Sequence, residues 1–343
     1  MTRVCFEFPA DVDRTVVYQK YYLLGLEERA RLDIDGSPLL VRLAPGVTNK
    51  MRVAFRFACG PLQGHVGRYV AEVDGRRVRF AIDAHDGREV RDPEALAWAD
   101  VYFKSNSWPE LEYDAKVIPV VNGNGLLDRA KIRLLRGLRD VEKSTDLAYI
   151  SNVWGGREHS LRVFERLAAL NCSKDLLAIF PEGFPADEDD ANMERLRSRG
   201  IPVSREPLAP RELWRRLAAA RVVPLRAGKH LCFSWRTLDL LAMGACIVFD
   251  AMPPPRWPVP LEAGMHVADA AIDRPDDTEA APEPEYDKLP SELERLLAAP
   301  REQGALRRAA ARYFDEFGAP GAVASYVLAT VARSRATQPT TRR

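Results

Sequence analysis

Residues 227–250 read Ala-Gly-Lys-His-Leu-Cys-Phe-Ser-Trp-Arg-Thr-Leu-Asp-Leu-Leu-Ala-Met-Gly-Ala-Cys-Ile-Val-Phe-Asp, and they gather the richest set of chemistry-bearing side chains in the chain. The pattern is a glycine-containing loop after a strand, a helix opened by Ser234, and Gly244 closing that helix before another apolar strand. The first amides of such a helix have no intrahelical acceptor and lie at the positive end of its dipole. Beside Lys229 and Arg236 they would hold a diphosphate without needing a metal ion. An ordinary strand–helix–strand unit, with Ser234 only a cap and Arg236 in solvent, fits the same letters equally well.

Other signatures are missing. Neither GxGxxG nor GxxxxGK[ST] occurs, and there is no GxSxG, HExxH or EF-hand loop. The commonest dehydrogenase, kinase and hydrolase readings fall away, leaving two-domain folds that bind a ligand in a cleft. His65, His159 and His266 show no metal-ligand spacing, so no metal or other cofactor is expected. The five cysteines (Cys5, Cys59, Cys172, Cys232 and Cys246) are scattered without a CxxC pair, which argues against structural zinc or a disulfide framework. Fifty basic residues against 49 acidic ones give a net charge of +1, and nothing in that balance suggests nucleic acid as a partner. No apolar run approaches the roughly 18 residues of a membrane span, and Met1-Thr2-Arg3 leads into a strand-like stretch. A cytoplasmic protein is the expectation.

These residues need elements to position them. A chain of 343 residues, 46% apolar and 29% charged, has room for two globular domains of about 150 residues each. In the first half, Val4–Phe8 reads as a strand and Thr15–Leu32 as a helix. Arg68–Glu72 and Arg76–Phe80 flank Asp74-Gly75 as a hairpin. A short helix (Pro93–Trp98) and strands at Asp100–Lys104 and Lys116–Val121 follow. The turn Asn122–Gly125 then leads into a basic helix, Asp128–Arg139. The second half alternates strand and helix four or five times from Leu147 to Asp250, the signature of a parallel sheet covered on both faces. Ile272–Asp287 reads as an exposed acidic loop, and two or three helices close the chain from Ser291 to Val331. The boundaries expected are 1–125 for the first domain, 126–145 for a linker helix, 146–290 for the second domain, 291–332 for helices packing back on the first domain, and 333–343 for a frayed tail.

The set Gly228, Ser234-Trp235-Arg236, Asp239 and Ala242-Met243-Gly244-Ala245 resembles the donor-site segment of GT-B glycosyltransferases, and within them the exostosin-like and bacterial family 1-type groups. Ile82-Asp-Ala-His-Asp86, Asp100-Val-Tyr-Phe-Lys104 and Tyr149-Ile-Ser-Asn-Val-Trp-Gly-Gly-Arg157 are similar to further stretches of that class. Asp239 stands where the pattern has Glu, and Cys246-Ile247 where it has Pro-Val.

The resemblance implies an α/β fold of two Rossmann-like domains (GT-B) with an interdomain cleft and C-terminal helices, and transfer of a sugar from a nucleotide sugar to an acceptor hydroxyl. It implies that Arg236 neutralises the leaving diphosphate with Lys229 assisting. Ser234 would lie at the same donor site, and Asp239 would accept from ribose or sugar. A loop of Gly155, Gly156 and Arg157 would meet phosphate. Inverting members need a base, for which His85 and Asp86 are candidates at a strand's carboxyl end, with Asp83 and Lys104 on the acceptor side. Phe180-Pro-Glu-Gly183 would touch the nucleotide base. The acceptor is a glycan, a lipid-linked molecule or a small molecule, in bacterial surface-glycan or glycoconjugate assembly. The arginines of the basic helix would allow weak peripheral membrane contact, though a solvated connector is the plainer account. A nucleotide-sugar 2-epimerase and a non-catalytic glycan- or partner-binding module are the rival readings.

Overall fold

A computed structural model describes residues 2–7, 12–35, 65–153, 157–181, 186–273 and 280–334. In chain order the described elements begin with β1 (Arg3–Glu7), α1 (Val12–Arg29), β2 (Arg31–Asp35), β3 (Val66–Val73), β4 (Arg76–Asp83), α2 (Pro93–Trp98), β5 (Val101–Lys104) and β6 (Val117–Pro119). They continue with α3 (Arg129–Gly137), β7 (Thr145–Asn152), α4 (Arg157–Ala169), β8 (Lys174–Ile179), α5 (Ala186–Arg197), β9 (Val203–Ser204), α6 (Pro210–Ala218) and β10 (Ala220–Leu225). The chain ends through α7 (Trp235–Ala242), β11 (Ile247–Phe249), β12 (Ala268–Asp269), α8 (Lys288–Leu297), α9 (Pro300–Tyr313) and α10 (Pro320–Arg333). Two compact units result, one of Met1–Arg129, Pro254–Pro260 and Asp315–Arg343, the other of Ala130–Pro253 and Leu261–Phe314. The protein is a two-domain α/β fold.

The first unit holds a mixed sheet of order β2-β1-β3-β4-β5-β6. Only β3 runs against its neighbours β1 and β4; the remaining pairs are parallel. Asp74 (φ 50°) and Gly75 (φ 73°) turn β3 into β4, the two positive φ values that a tight hairpin needs to match strand twist. Asp92 caps α2 by accepting from the Ala95 amide at 2.8 Å, with Pro93 in the first turn. Helix α10 belongs to this unit and lies so close to α1 that a Cβ on Gly25 would fall 2.0 Å from the Pro320 carbonyl oxygen. Any side chain there would force the two helices apart.

The second unit holds an all-parallel sheet of order β12-β11-β10-β7-β8-β9. Numbered by appearance this is 6-5-4-1-2-3, the doubly wound order, whose direction of winding reverses between β7 and β10. Its central strands run apolar because helices cover both faces: Val222, Val223, Ile247, Val248 and Phe249 are buried, as are Phe164 and Leu167 of α4 and Leu293 and Leu296 of α8.

Three local expectations need correcting. The first helix stops at Arg29, and Arg31–Asp35, which alternates polar and apolar residues, forms β2 beside β1. The segment expected as an exposed loop contains a 3-10 helix at Glu283–Asp287, which inserts Tyr286 into the core. Helix α8 begins at Lys288 rather than Ser291. Residues 333–343 were expected to fray, and all but Arg333 and Ser334 lie outside the described residues.

Candidate functional site

In open α/β sheets ligands bind beyond the carboxyl ends of the strands, at the point where winding reverses. In the second unit that point lies between β7 and β10. Arg226 follows β10, and its guanidinium donates to the Ser160 hydroxyl in the first turns of α4. Arg236 sits in the first turn of α7. It is neither in solvent nor ion-paired: the part-buried guanidinium donates to the Ile150 carbonyl of β7, and no carboxylate among the described residues bridges to it. Burial pulls its pKa below the usual arginine value, against the opposing field of Asp239. An arginine stays charged regardless, so the site keeps a cation at some cost in desolvation.

Hydroxyls line the same place. Tyr149 of β7 is 3% exposed, and its hydroxyl has no hydrogen-bond partner among the described residues. Burial raises its pKa, while Arg226 and Arg236 pull it down. The hydroxyls of Ser234 and Thr237 are also buried without a partner. Ser234 occupies the N-cap position of α7, yet its side chain makes no capping bond, contrary to its sequence reading as a cap. Gly244 (φ 61°) follows the helix end in the left-handed conformation, as its position suggests. The loop before α7 is tight: His230 and Leu231 both have positive φ, 56° and 52°, and the Gly228 amide donates to the Cys232 carbonyl at 2.7 Å.

Asp239 points inward. Its Oδ2 accepts from the Trp214 indole of α6 at 2.9 Å, and the residue is 9% exposed. Lys229 opens a one-turn 3-10 helix at Lys229–Leu231. Arg157 begins α4, whereas Gly155 and Gly156 lie outside the described residues, as do Glu182 and Gly183.

A network that the sequence did not announce adjoins these groups. His159 of α4 is fully buried, with Nε2 2.7 Å from Asp250 Oδ2 and Nδ1 2.9 Å from the Tyr286 hydroxyl. Asp250 follows β11, and its Oδ1 accepts from the amides of Ala227 at 3.2 Å and Ala251 at 2.8 Å. The Tyr286 oxygen accepts from the Ala281 amide at 3.1 Å. Asp250 closing an apolar strand, and Arg226 closing another, were the available sequence signals. The histidine offered none.

The carboxyl edge of the first sheet is arranged differently. Asp83 ends β4 and Lys104 ends β5; both are fully buried and meet at 3.2 Å. Asp83 Oδ2 also accepts from the Tyr102 hydroxyl at 3.0 Å, and Oδ1 from the His85 amide at 2.9 Å. Burial and the Asp83 charge together push the Tyr102 phenol well above its ordinary value. Lys104 donates to the Gly87 carbonyl at 2.8 Å. His85 Nδ1 accepts from the Gly87 amide at 2.7 Å, and the Arg91 guanidinium lies 3.2 Å from Nε2. Asp86 is half-buried, and its carbonyl accepts from the Asn106 side chain. The structure thus brings Asp83, Lys104 and His85 into one network and gathers Ser234, Arg236 and Asp239 on α7. Among the described residues no group of three His, Cys, Asp or Glu side chains could hold a metal ion.

No family model matches the sequence, and no curated protein matches it. Among solved structures the chain is similar to Anabaena HepE in complex with UDP, at 13% identity over 97% of this chain and 100% of that one, with a TM-score of 0.48. It is similar to a glycosyltransferase from Rickettsia africae at 9% identity, covering 69% of this chain and 64% of that one, TM-score 0.47. Sucrose-phosphate synthase from Thermosynechococcus elongatus gives 11% identity, 72% and 63% coverage, and a TM-score of 0.47. The chain therefore spans less than two thirds of the length of the last two. At these values the likeness is one of architecture alone.

Proposed function

We propose that this protein is a GT-B glycosyltransferase whose second unit binds a nucleotide-sugar donor. The observation that carries the reading is Arg236: a part-buried cation in the first turn of α7, at the winding reversal of a parallel sheet, with a carbonyl as its only described hydrogen-bond partner. Such a group is costly unless an anion answers it. A diphosphate fits, because it would also accept from the buried hydroxyls of Ser234 and Tyr149, which have no partner among the described residues.

In the reaction the bond between the sugar's anomeric carbon and the diphosphate oxygen breaks, the electron pair leaves with the nucleoside diphosphate, and the acceptor hydroxyl oxygen bonds to that carbon. Negative charge grows on the diphosphate as the bond breaks, so a fixed guanidinium stabilises the transition state more than the ground state. Arg236 and Arg226 supply this charge, with Lys229 nearby in sequence, and the reading needs no bound metal. Asp239 meets ribose or sugar with its Oδ2 already accepting from the Trp214 indole. On the first unit Asp86 is the better base for accepting the hydroxyl proton, since both ring nitrogens of His85 are engaged, by the Gly87 amide and the Arg91 guanidinium. Asp83 and Lys104 act beneath that loop as its support. Hexosyl transfer to a glycan or lipid-linked acceptor, in bacterial surface-glycan assembly at the cytoplasmic face, completes the proposal.

The test is a thermal-shift screen of UDP-, GDP-, ADP- and TDP-sugars on the wild type and on Arg236→Met. A ligand at 100 times its dissociation constant adds about 2.7 kcal/mol, a rise of a few degrees at this size. A rise with one nucleotide family that the variant loses supports the reading; no rise with any of them, or one the variant retains, sinks it. Release of nucleoside diphosphate that depends on an acceptor then separates a transferase from a binding module.

A further inference from the structure

We infer that Ser105, Asn106 and Trp108 of the first unit form an acceptor subsite that takes the hydroxyls of a neutral sugar and turns phosphate or carboxylate away. The inference rests on the transferase reading above and names the class of its acceptor. Ser105 directly follows β5 at the carboxyl end of the first sheet, and its amide donates to the Asp83 carbonyl at the end of β4. Ser105 and Asn106 are 2% and 1% exposed. Ser105 Oγ, Asn106 Oδ1 and Trp108 Nε1 are nonetheless buried without a hydrogen-bond partner among the described residues. Each such atom is costly while it stays unpaired, and three of them within four residues of chain form an unusual concentration.

The segment is well anchored. The Ser107 carbonyl accepts at 3.0 Å from the amide of Arg256, which belongs to the same unit. The Trp108 amide donates to the Tyr113 hydroxyl at 3.1 Å. Asn106 and Trp108 also lie against one loop: the Asn106 side-chain nitrogen donates to the Asp86 carbonyl, and the Arg88 guanidinium stands over the Trp108 ring, 5.5 Å from its centre. The first of these contacts decides the orientation of the amide, because a flipped Asn106 would set its oxygen against a carbonyl oxygen. Oδ1 is therefore the atom left over, beside the backbone of the residue proposed as base.

The unpartnered set says what it would bind. Oδ1 only accepts, Nε1–H only donates, and the Ser105 hydroxyl does either. A hydroxyl group can donate to the amide oxygen while accepting from the indole, and neighbouring hydroxyls on a sugar ring can serve all three atoms. A carboxylate or fully ionised phosphate has no proton for Oδ1. A cation would face the Arg88 guanidinium. No charge is offered from beneath, since Lys104 and Asp83 are fully buried and bonded to each other.

The experiment follows the Trp108 indole N–H resonance of the full chain, assigned through Trp108→Phe, in nitrogen-15 NMR titrations with and without UDP. The neutral probes are methyl glucoside, methyl galactoside, methyl mannoside and methyl N-acetylglucosaminide; the anionic ones are inorganic phosphate and glucuronate. At least one neutral glycoside is expected to shift the resonance saturably, and neither anion to do so. Ser105→Ala should then weaken that glycoside about threefold and Trp108→Phe about tenfold, read from the ligand's own signals. The melting temperature of unliganded Ser105→Ala should be unchanged or higher, because the hydroxyl it removes is unpaired. A purely structural role predicts the opposite, a lower melting temperature with affinity intact, and that result overturns the inference. So does a resonance that no glycoside moves, as expected if ordered water alone satisfies these atoms, and so does one that phosphate or glucuronate moves equally. Trp108→Phe keeps an aromatic ring under Arg88, and Ser105→Ala removes no described hydrogen bond, so neither variant is expected to unfold. Glycoside binding of this pattern while no nucleotide sugar binds would sink the donor reading alone. A nucleotide-sugar shift without any glycoside response sinks the inference alone.

Discussion

At the carboxyl edge of the first sheet Lys104 and Asp83 meet at 3.2 Å with neither reaching solvent, and Tyr102, the His85 amide and the Gly87 carbonyl complete their hydrogen bonds. At the corresponding edge of the second sheet Arg236 has a carbonyl and, among the described residues, no carboxylate, while Asp239 and Asp250 are bonded to an indole and an imidazole. Both edges contain one acid–base set of similar size. The first pairs its charges with each other; at the second the part-buried Arg236 meets no carboxylate among the described residues, and such a cation is what an anionic ligand can exploit. Charge pairing, more than residue type, tells an anion-binding edge from one without that role.

This contrast is most easily broken at Lys104. Lys104→Met leaves the Asp83 carboxylate buried and unanswered and should cost about 3–5 kcal/mol in chemical denaturation, with Asp83→Leu added to it recovering part of the loss. Arg236→Met should do the reverse: stability stays within about 1 kcal/mol of wild type, since a desolvated cation is lost along with one hydrogen bond, while affinity for the donor nucleotide falls about 10–100-fold. Equal destabilisation by the two substitutions would erase the difference between the edges. Trp214→Phe, which strips Asp239 of its indole donor, should lower stability by about 1–3 kcal/mol and weaken donor binding as the freed acid turns to Arg236. A drop in stability with donor affinity intact would show that Asp239 serves the fold and not the donor site.

A further effect expected is a pH slope. Burial, with Arg307 nearby, lowers Lys143 from 10.5 to about 8. Between those values the unfolded chain binds a proton that the folded one has released, so stability rises with pH across that window relative to Lys143→Met. Burial pushes the Cys246 thiol from 9.0 up to about 12, and this works the other way from pH 9 upward. Subtracting the variant's curve isolates the lysine. A flat difference between pH 8 and 10 would place Lys143 in solvent.

The sequence shows the second unit better than the first because strands buried on both faces read as apolar runs between helical periods, as at Arg221–Leu225 and Ala245–Asp250. β2 escaped because five alternating residues directly after a helix blend into its last turn. At the site, the letters placed Arg236 at a helix start but could not tell a solvated arginine from one tied to a β7 carbonyl. Ser234 had the right type for a cap and a different orientation. His159, Asp250 and Tyr286 are 91 and 127 residues apart as bonded pairs, and no local period relates them. The three meet because α4, β11 and the 3-10 helix before α8 are brought together by the sheet.

The loop at Gly228–Cys232 has one further consequence. Two successive residues with side chains, His230 and Leu231, sit in the left-handed region, which costs each about 1–2 kcal/mol against its relaxed conformation. The hydrogen bond from the Gly228 amide to the Cys232 carbonyl closes the loop around them. A glycine at position 230 should therefore raise the melting temperature, so the segment offers laboratory evolution an immediate thermal gain. Selection for heat resistance alone would be drawn to it first, and what such selection traded away would show what the strained shape is for.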